Sequence, residues 1–556
     1  MTSIQSKKRI VVCCDGTWLD SDGDYQTPSN ITRIARAITP TGKDQSGTDI
    51  HQLVFYENGI GTGDNSWYNK FVGGATGEGL AEHIREAYSW ICMNYNPGDE
   101  IFVLGFSRGA FTARSISSLI NAVGLLTSKG LEHFVQVFED WEFQQKKDYV
   151  TRWPNLPFIG HKPPVTDPQY QSQLISKQLT RPKIKVKCVA VWDTVGGLGI
   201  PMIGLLPQPP SKDFAFVDTR VESNIEYAFQ ALALDEHRRP YSPTVWDWPQ
   251  VEPNDLKVLR QTWFPGVHSD IGGSYDDNTL GNLTLAWMVS QLDPILTIDH
   301  KYVYSLIEPG HPGLSGHMSF TASGLAKMVE NTKPHPRPWG LGKIHNSMSL
   351  FFELAGSRSR TPGEYREEEP ASQYGTILWI FWKIGHRIAK LLGTKEQTMP
   401  RLRRTEETIH ASVRIRRGKK GLGYSDKGVY DPPALKDWEM SGFKTNPETP
   451  VALNEPGQVG TMTGVVYRKA VYPESVVDGK VKVLADKGKT KILEIPEEPL
   501  GPFERQILDL WPEIQKDFDT IGNAGFGQDR VHTEPVGRGT GETSVQLKQP
   551  GRSETT

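Results

Sequence analysis

The chain has 556 residues, 37% of them hydrophobic and 23% charged, enough for a large buried core and more than one domain-sized unit. Lys and Arg number 62 against 65 Asp and Glu, a net charge of −3, so the basic excess of a nucleic-acid binder is missing and no nucleic-acid partner is expected. Four cysteines (Cys13, Cys14, Cys92, Cys188) form no CxxC pair and are too few for a disulfide framework; they read as reduced, buried thiols of a cytoplasmic protein, with no metal and no cofactor implied.

The N-terminal apolar run is short, preceded by lysines and closed by Asp15. It reads as a first strand over 9–15 rather than a signal peptide. A helix opened by an Asn cap is expected over 30–38, then a strand running into a glycine-rich loop over 50–63. A helix over 79–95, a buried strand over 99–107 and a helix over 108–126 follow. The spacing predicts further strands over 183–196 and 258–270, with a helix over 222–237 between them. This alternation argues for an α/β fold, a mostly parallel central sheet with helices on both faces, and the apolar runs suit strands buried on both sides.

Beyond about residue 300 the alternation weakens. Segments 334–342 and 356–371 read as loops, 460–486 as two short strands, and 501–521 as a helix. No uncharged stretch reaches membrane-spanning length. The nearest, 374–393, is broken by Lys383, His386, Arg387 and Lys390. It is expected to pack as a core or cap helix, with peripheral membrane contact as the alternative. The basic run 401–420 reads as solvated surface. Three regions are therefore expected: a catalytic domain over 8–300, a helical and irregular C-terminal cap, lid or accessory region over 301–520, and a disordered tail over 521–556.

The stretch "LGFSRGAF" (104–111) places Ser107 between Gly105 and Gly109, after a predicted strand and before a predicted helix. That is the context of a nucleophile elbow. The serine must turn sharply from strand to helix, and Cβ atoms two residues either side would clash. The helix then aims its first N–H groups at a developing oxyanion. A serine needs a base and an acid to orient the base. In chain order, Asp193 ends the next strand and His268 the later one, so both fall at the same sheet edge as Ser107, where open parallel sheets bind ligands. Each also has a structural reading: Asp193 as a turn cap, His268 as a hydrogen-bonded packing residue. A competing acid is Asp270, with His345 or His410 as base. His237 reads as surface or packing, its neighbours Asp235 and Glu236 forming ion pairs with Arg238 or Arg239. One oxyanion donor would be the Arg108 amide, and the other would come from Gly16 and Thr17 after the first strand, where a plain Asp-Gly turn is the rival. That "DGT" also evokes phosphatases whose strand ends in D-x-D-G-T, but Cys13 stands where the nucleophilic Asp belongs.

Six blocks occur in order: "VVCCDGTW", "YENGIGTG", "GFSRGAFTAR", "VWDTVGGLG", "ALALDEHR" and "TWFPGVHSDIGGSY". They resemble the largely uncharacterised α/β-hydrolase family that includes the type VI secretion phospholipase effectors and many fungal proteins, over about residues 8–280. The resemblance implies an α/β-hydrolase-like fold whose first two strands are missing or replaced. It also implies that Ser107 is the nucleophile, with Asp193 and His268 completing the triad. The expected function is a serine esterase or lipase acting on carboxylic esters, with phospholipid as the substrate that the resemblance favours. The alternative is a silent hydrolase-like scaffold that binds a partner or lipid.

Overall fold

The computed structural model describes residues 7–521 apart from 17–26, 60–76, 145–148, 161, 196–219, 239–240, 250, 309–317, 321–325, 329–336, 348–356, 365–403, 443–464, 472–473, 478–479 and 484–490. The expectations for Thr17, for the helix over 374–393 and for nearly all of the tail lie outside the described residues.

The framework is an eleven-stranded sheet. Its strands are β1 (Lys8–Cys14), β2 (Thr41–Lys43), β3 (Asp49–Glu57), β4 (Glu100–Phe106), β5 (Val186–Trp192), β6 (Ile225–Ala233), β7 (Val258–Phe264), β8 (Glu407–His410), β9 (Glu439–Gly442), β10 (Val465–Val471) and β11 (Lys491–Glu498). Their spatial order is β9-β10-β11-β8-β7-β6-β5-β4-β1-β3-β2. All neighbours from β11 to β3 run parallel, and both margins are antiparallel. The principal helices are α1 (Asn30–Ala37), α2 (Gly77–Asn94), α3 (Arg108–Val123), the short α4 (His268–Gly272), α5 (Thr279–Leu292), α6 (Ala411–Gly418), α7 (Pro502–Leu508) and α8 (Pro512–Ile521).

The sheet divides the core into two. Val11 and Cys13 of β1 join α1 and α5 in one cluster, while Ile10, Val12 and Cys14 join α2 and α3 in the other. Helices therefore cover both faces, as the continuous apolar strands require. All four cysteines are free and buried. Chain order reverses beside β1: the chain leaves it toward β3, then returns past it to β4 and continues outward. Parallel sheets hold ligands in the crevice expected at such a switch point, which here falls between the ends of β1 and β4.

Four expectations need correction. The basic run 401–420 is not solvated surface: it holds β8 and α6, with Arg414 2% and Arg416 0% exposed. Segment 460–486 holds three strands rather than two, Val465–Val471, Glu474–Val477 and Lys480–Val483. Segment 222–237 is not a helix but contains the central strand β6, paired on both sides in parallel. Its Glu, Ala, Gln and Leu favour a helix locally, yet burial on both faces removes the alternation that marks a strand, and tertiary pairing overrides propensity. Glu226, near its start, takes the cross-strand cations Lys187 (3.1 Å) and Lys257 (2.9 Å). The helix over 501–521 is two helices, because Pro512 cannot continue the first and opens the second.

The C-terminal half contributes to the sheet itself: β8, β11, β10 and β9 extend it beyond β7. Ile409, Val413, Tyr467, Ile495 and Phe503 share one apolar cluster with Trp263 and Phe264. Buried polar pairs tie this half together: an ion pair of Arg414 with Glu497 (2.8 Å) and a hydrogen bond between His410 Nε2 and Glu504 (2.8 Å). Arg260 of β7 reaches Glu498 of β11 at 2.9 Å. Removing one partner of a buried pair strands the other, at a cost of about 3 kcal/mol. His410→Ala should thus lower the melting temperature by several degrees, and an unchanged calorimetric transition would show that the pair contributes nothing.

Candidate active site

The end of β4 makes the turn that the sequence announces. Ser107 has φ 58° and ψ −120° and caps α3. A non-glycine residue in this region is strained and persists only where its surroundings enforce it. The enforcement is visible. A Cβ on Gly105 would lie 2.3 Å from the Gly109 carbonyl oxygen, and one on Gly109 would lie 2.2 Å from that of Cys14. The Ser107 amide donates to the Trp192 carbonyl at the end of β5 (3.1 Å). Ser107 is 8% exposed.

Asp193 follows β5 directly and is fully buried. Its Oδ1 accepts the Ala233 amide (3.0 Å), and its Oδ2 accepts His268 Nδ1 (2.7 Å) and Arg360 Nη2 (3.0 Å). Burial alone would raise this carboxyl, but Arg360, His268 and the Ala233 amide outweigh it and hold Asp193 below the usual carboxylate range. His268 is 3% exposed. Its ring stacks on Phe106, the residue before Ser107, with centroids 4.7 Å apart, and meets the edge of Tyr241 at 4.9 Å. Burial pushes His268 below the ordinary imidazole value; the Asp193 pairing works against that shift and Arg238 adds to it. Its Nε2 is buried and has no hydrogen-bond partner among the described residues, so no hydrogen bond joins it to the Ser107 hydroxyl in this state.

The turn carrying His268 is gripped through three successive amides. Gly266 donates to Asp235 (2.7 Å), Val267 to Asp270 (2.9 Å) and His268 to Glu236 (3.2 Å). Each of these carboxylates has a second partner from the C-terminal half: Tyr430 on Asp235 (3.0 Å), His345 on Asp270 (2.6 Å) and Ser347 on Glu236 (3.4 Å). Glu236 also forms the expected ion pair with Arg238 (2.8 Å). His237 is not beside a helix; it follows β6 and meets Tyr424 edge-on at 5.1 Å.

The competing residues find partners of their own. Asp270 and His345 do pair, and His345 stacks on Tyr275 at 4.0 Å. Asp270 is, however, engaged in tying down the His268 turn. His410 does not join them. Its Nδ1 meets Ser412 (2.7 Å) and its Nε2 meets Glu504 (2.8 Å), so both ring nitrogens are occupied by packing partners.

At the β1 end of the crevice, Asp15 gathers the Gly16 amide (2.6 Å) and the hydroxyls of Ser29 (2.6 Å), Thr32 (2.9 Å) and Tyr56 (2.5 Å). The Gly16 amide is therefore engaged by Asp15 rather than presented to the crevice. Arg108 opens α3, where amides have no acceptor within the helix. Burial brings its guanidinium down to about 10. No cluster of His, Cys, Asp and Glu suited to a metal occurs among the described residues, and none of their helices is long and apolar enough to cross a membrane.

Arg360 is the site residue that sequence reasoning missed. It sits in a stretch read as a loop, with several other arginines nearby and no local pattern to single it out.

Comparison with known proteins gives three results. The family model described as "T6SS, Phospholipase effector Tle1-like, catalytic domain" matches residues 8–291, just over half of the chain. An uncharacterized protein of Saccharomyces cerevisiae is 29% identical over 253 residues, 42% of this chain and 32% of the relative, so the chain spans about a third of that relative's length. Two solved structures are similar: an uncharacterized protein from Pseudomonas aeruginosa (14% identity, 52% of this chain and 46% of that one, TM-score 0.26) and the Tle1 effector bound to the VgrG spike from the type VI secretion system (19%, 49% and 51%, 0.23).

Gly109→Ala tests the turn directly. With backbone carbonyls in the way, it should destabilise the protein by about 2 kcal/mol or more and abolish any reactivity of Ser107. Wild-type melting and wild-type labelling by a fluorophosphonate would show that the two glycines do not enforce the turn.

Proposed function

The chain belongs to the Tle1-like phospholipase effector family of type VI secretion, and from that premise we propose that it is a serine hydrolase of lipid carboxylic esters, built on an α/β-hydrolase-like sheet with Ser107, His268 and Asp193 as its triad. The observation that carries this reading is the His268 imidazole. Its Nδ1 is held by Asp193 while its Nε2 stays buried and unbonded, and its ring lies against the residue before Ser107.

In this reading the bond between His268 and Ser107 closes when substrate fills the crevice, since catalytic hydrogen bonds are often long without ligand. The Ser107 hydroxyl passes its proton to Nε2 as its oxygen attacks the ester carbonyl. Asp193 stabilises the imidazolium, and the Arg108 amide at the start of α3 faces the oxyanion. The imidazolium then returns the proton to the leaving alcohol. Water attacks the acyl-enzyme by the same route, releasing the acid and the free serine. No metal or cofactor enters.

Two measurements test the proposal. A fluorophosphonate should label the folded protein at Ser107, and Ser107→Ala should abolish the label and lower ester hydrolysis on the order of 10³-fold or more. A folded protein that never labels would favour the silent scaffold. The second is a pH profile. Because burial favours neutral His268, the base form persists into mild acid. The acid limb of kcat/KM on a soluble short-chain ester should therefore fall below the ordinary imidazole value of about 6.5, and a limb above it would contradict the assignment of His268 as base.

A further inference from the structure

Asp193 has a partner that lies outside the family-matched residues. Arg360 is 4% exposed and belongs to a short segment of the C-terminal half that is pinned on both sides. Before it, the Arg358 amide donates to the His237 carbonyl (2.8 Å) and Ser357 forms a bridge with Arg238. After it, the Gly363 amide donates to Glu407 Oε1 (3.1 Å). So held, Arg360 sends Nη2 to Asp193 Oδ2, the same oxygen that receives His268 Nδ1. This is its one hydrogen bond among the described residues, and Nη1 is buried without a partner.

We infer that Arg360 is a positioning residue for the triad, fixing the Asp193 carboxylate that orients His268 and placing a permanent positive charge behind the imidazole. The inference rests on the triad proposed above. A carboxylate fully buried between strands is otherwise free to rotate about Cβ–Cγ; donors on both oxygens, from Ala233 and from Arg360, lock that rotation. The charged groups facing the pair are Glu236 and Arg238 after β6, together with Arg360; Tyr241 lies edge-on to the ring. Glu236 and Arg238 neutralise one another across 2.8 Å, which leaves Arg360 as the cation balanced by Asp193 itself. Deleting that cation makes every neighbouring proton easier to hold, so both Asp193 and His268 would titrate at higher pH.

The test compares Arg360→Gln and Arg360→Lys with the parent, as full chains, on a soluble short-chain ester across pH. Arg360→Gln should lower kcat about tenfold or more with KM within about twofold, and should move the acid limb of kcat/KM upward by about half a pH unit or more. Arg360→Lys keeps the charge but not the planar donor, so its limb should stay at the parental position while kcat recovers in part. An unmoved limb and parental kcat in Arg360→Gln would overturn the inference. So would equal losses in both variants with the limb in place, the mark of a merely structural side chain. Should Arg360→Gln not fold, parental kcat in Arg360→Lys would overturn the orienting role. Ser107→Ala separates the two levels: if it remains active the triad itself fails, whereas if it is inactive and the Arg360 variants behave as parent, this inference fails alone.

Discussion

The positive φ of Ser107 is the constraint around which the rest of the crevice is arranged. A residue with a side chain does not stay there unaided. The turn is wedged between the carbonyls at the end of β1, which press on Gly109, and the end of β5, which takes the Ser107 amide. On its remaining side Phe106 is covered by the His268 ring and by Gly272, where a Cβ would fall 2.1 Å from the Phe106 ring. Three strand ends and α4 thus converge on one strained peptide, and the order β6-β5-β4-β1 puts them there.

Much of this was legible in the sequence because local rules dictate it. A glycine two residues before and two after a serine is a short-range pattern, and so is an apolar run that stops at an aspartate. The pairing of His268 with Asp193 follows from chain order at a single sheet edge. What was not legible depends on long-range pairing. β6 lies between two strands and has no wet face, so it lost the alternation that would have distinguished it from a helix. β8 adds to β7 across about 150 residues of sequence, and nothing in its four residues announces that register. Arg360 becomes a site residue only because Arg358 and Gly363 are anchored on either side of it. The Asp270–His345 pair was visible as two candidate residues; their work on the His268 turn was not, because a backbone amide leaves no trace in sequence.

Burial governs the electrostatics throughout. Asp193 stays ionised because the Arg360 cation, the His268 N–H and the Ala233 amide outweigh its desolvation, while His268 is pushed toward the neutral form because the Asp193 carboxylate does not outweigh its burial. The same environment thus pushes both neighbouring groups toward their proton-free forms, one an anion and the other a neutral imidazole, the condition under which the imidazole can serve as base and the carboxylate as its fixed counter-charge. At the other end of the crevice, Asp15 collects four donors and anchors the loop after β1 to α1 and β3.

The three carboxylates beneath residues 266–268 each have one hand on the imidazole-bearing turn and the other on Tyr430, His345 or Ser347. The turn is therefore shared property. Residues about 80 to 165 positions downstream set its shape as much as the strand it ends, so the N-terminal portion is not a cassette to be grafted onto another tail. A drift in sequence near Tyr430 would register as a displaced imidazole, and descent would have had to carry both portions of the chain forward as a matched pair.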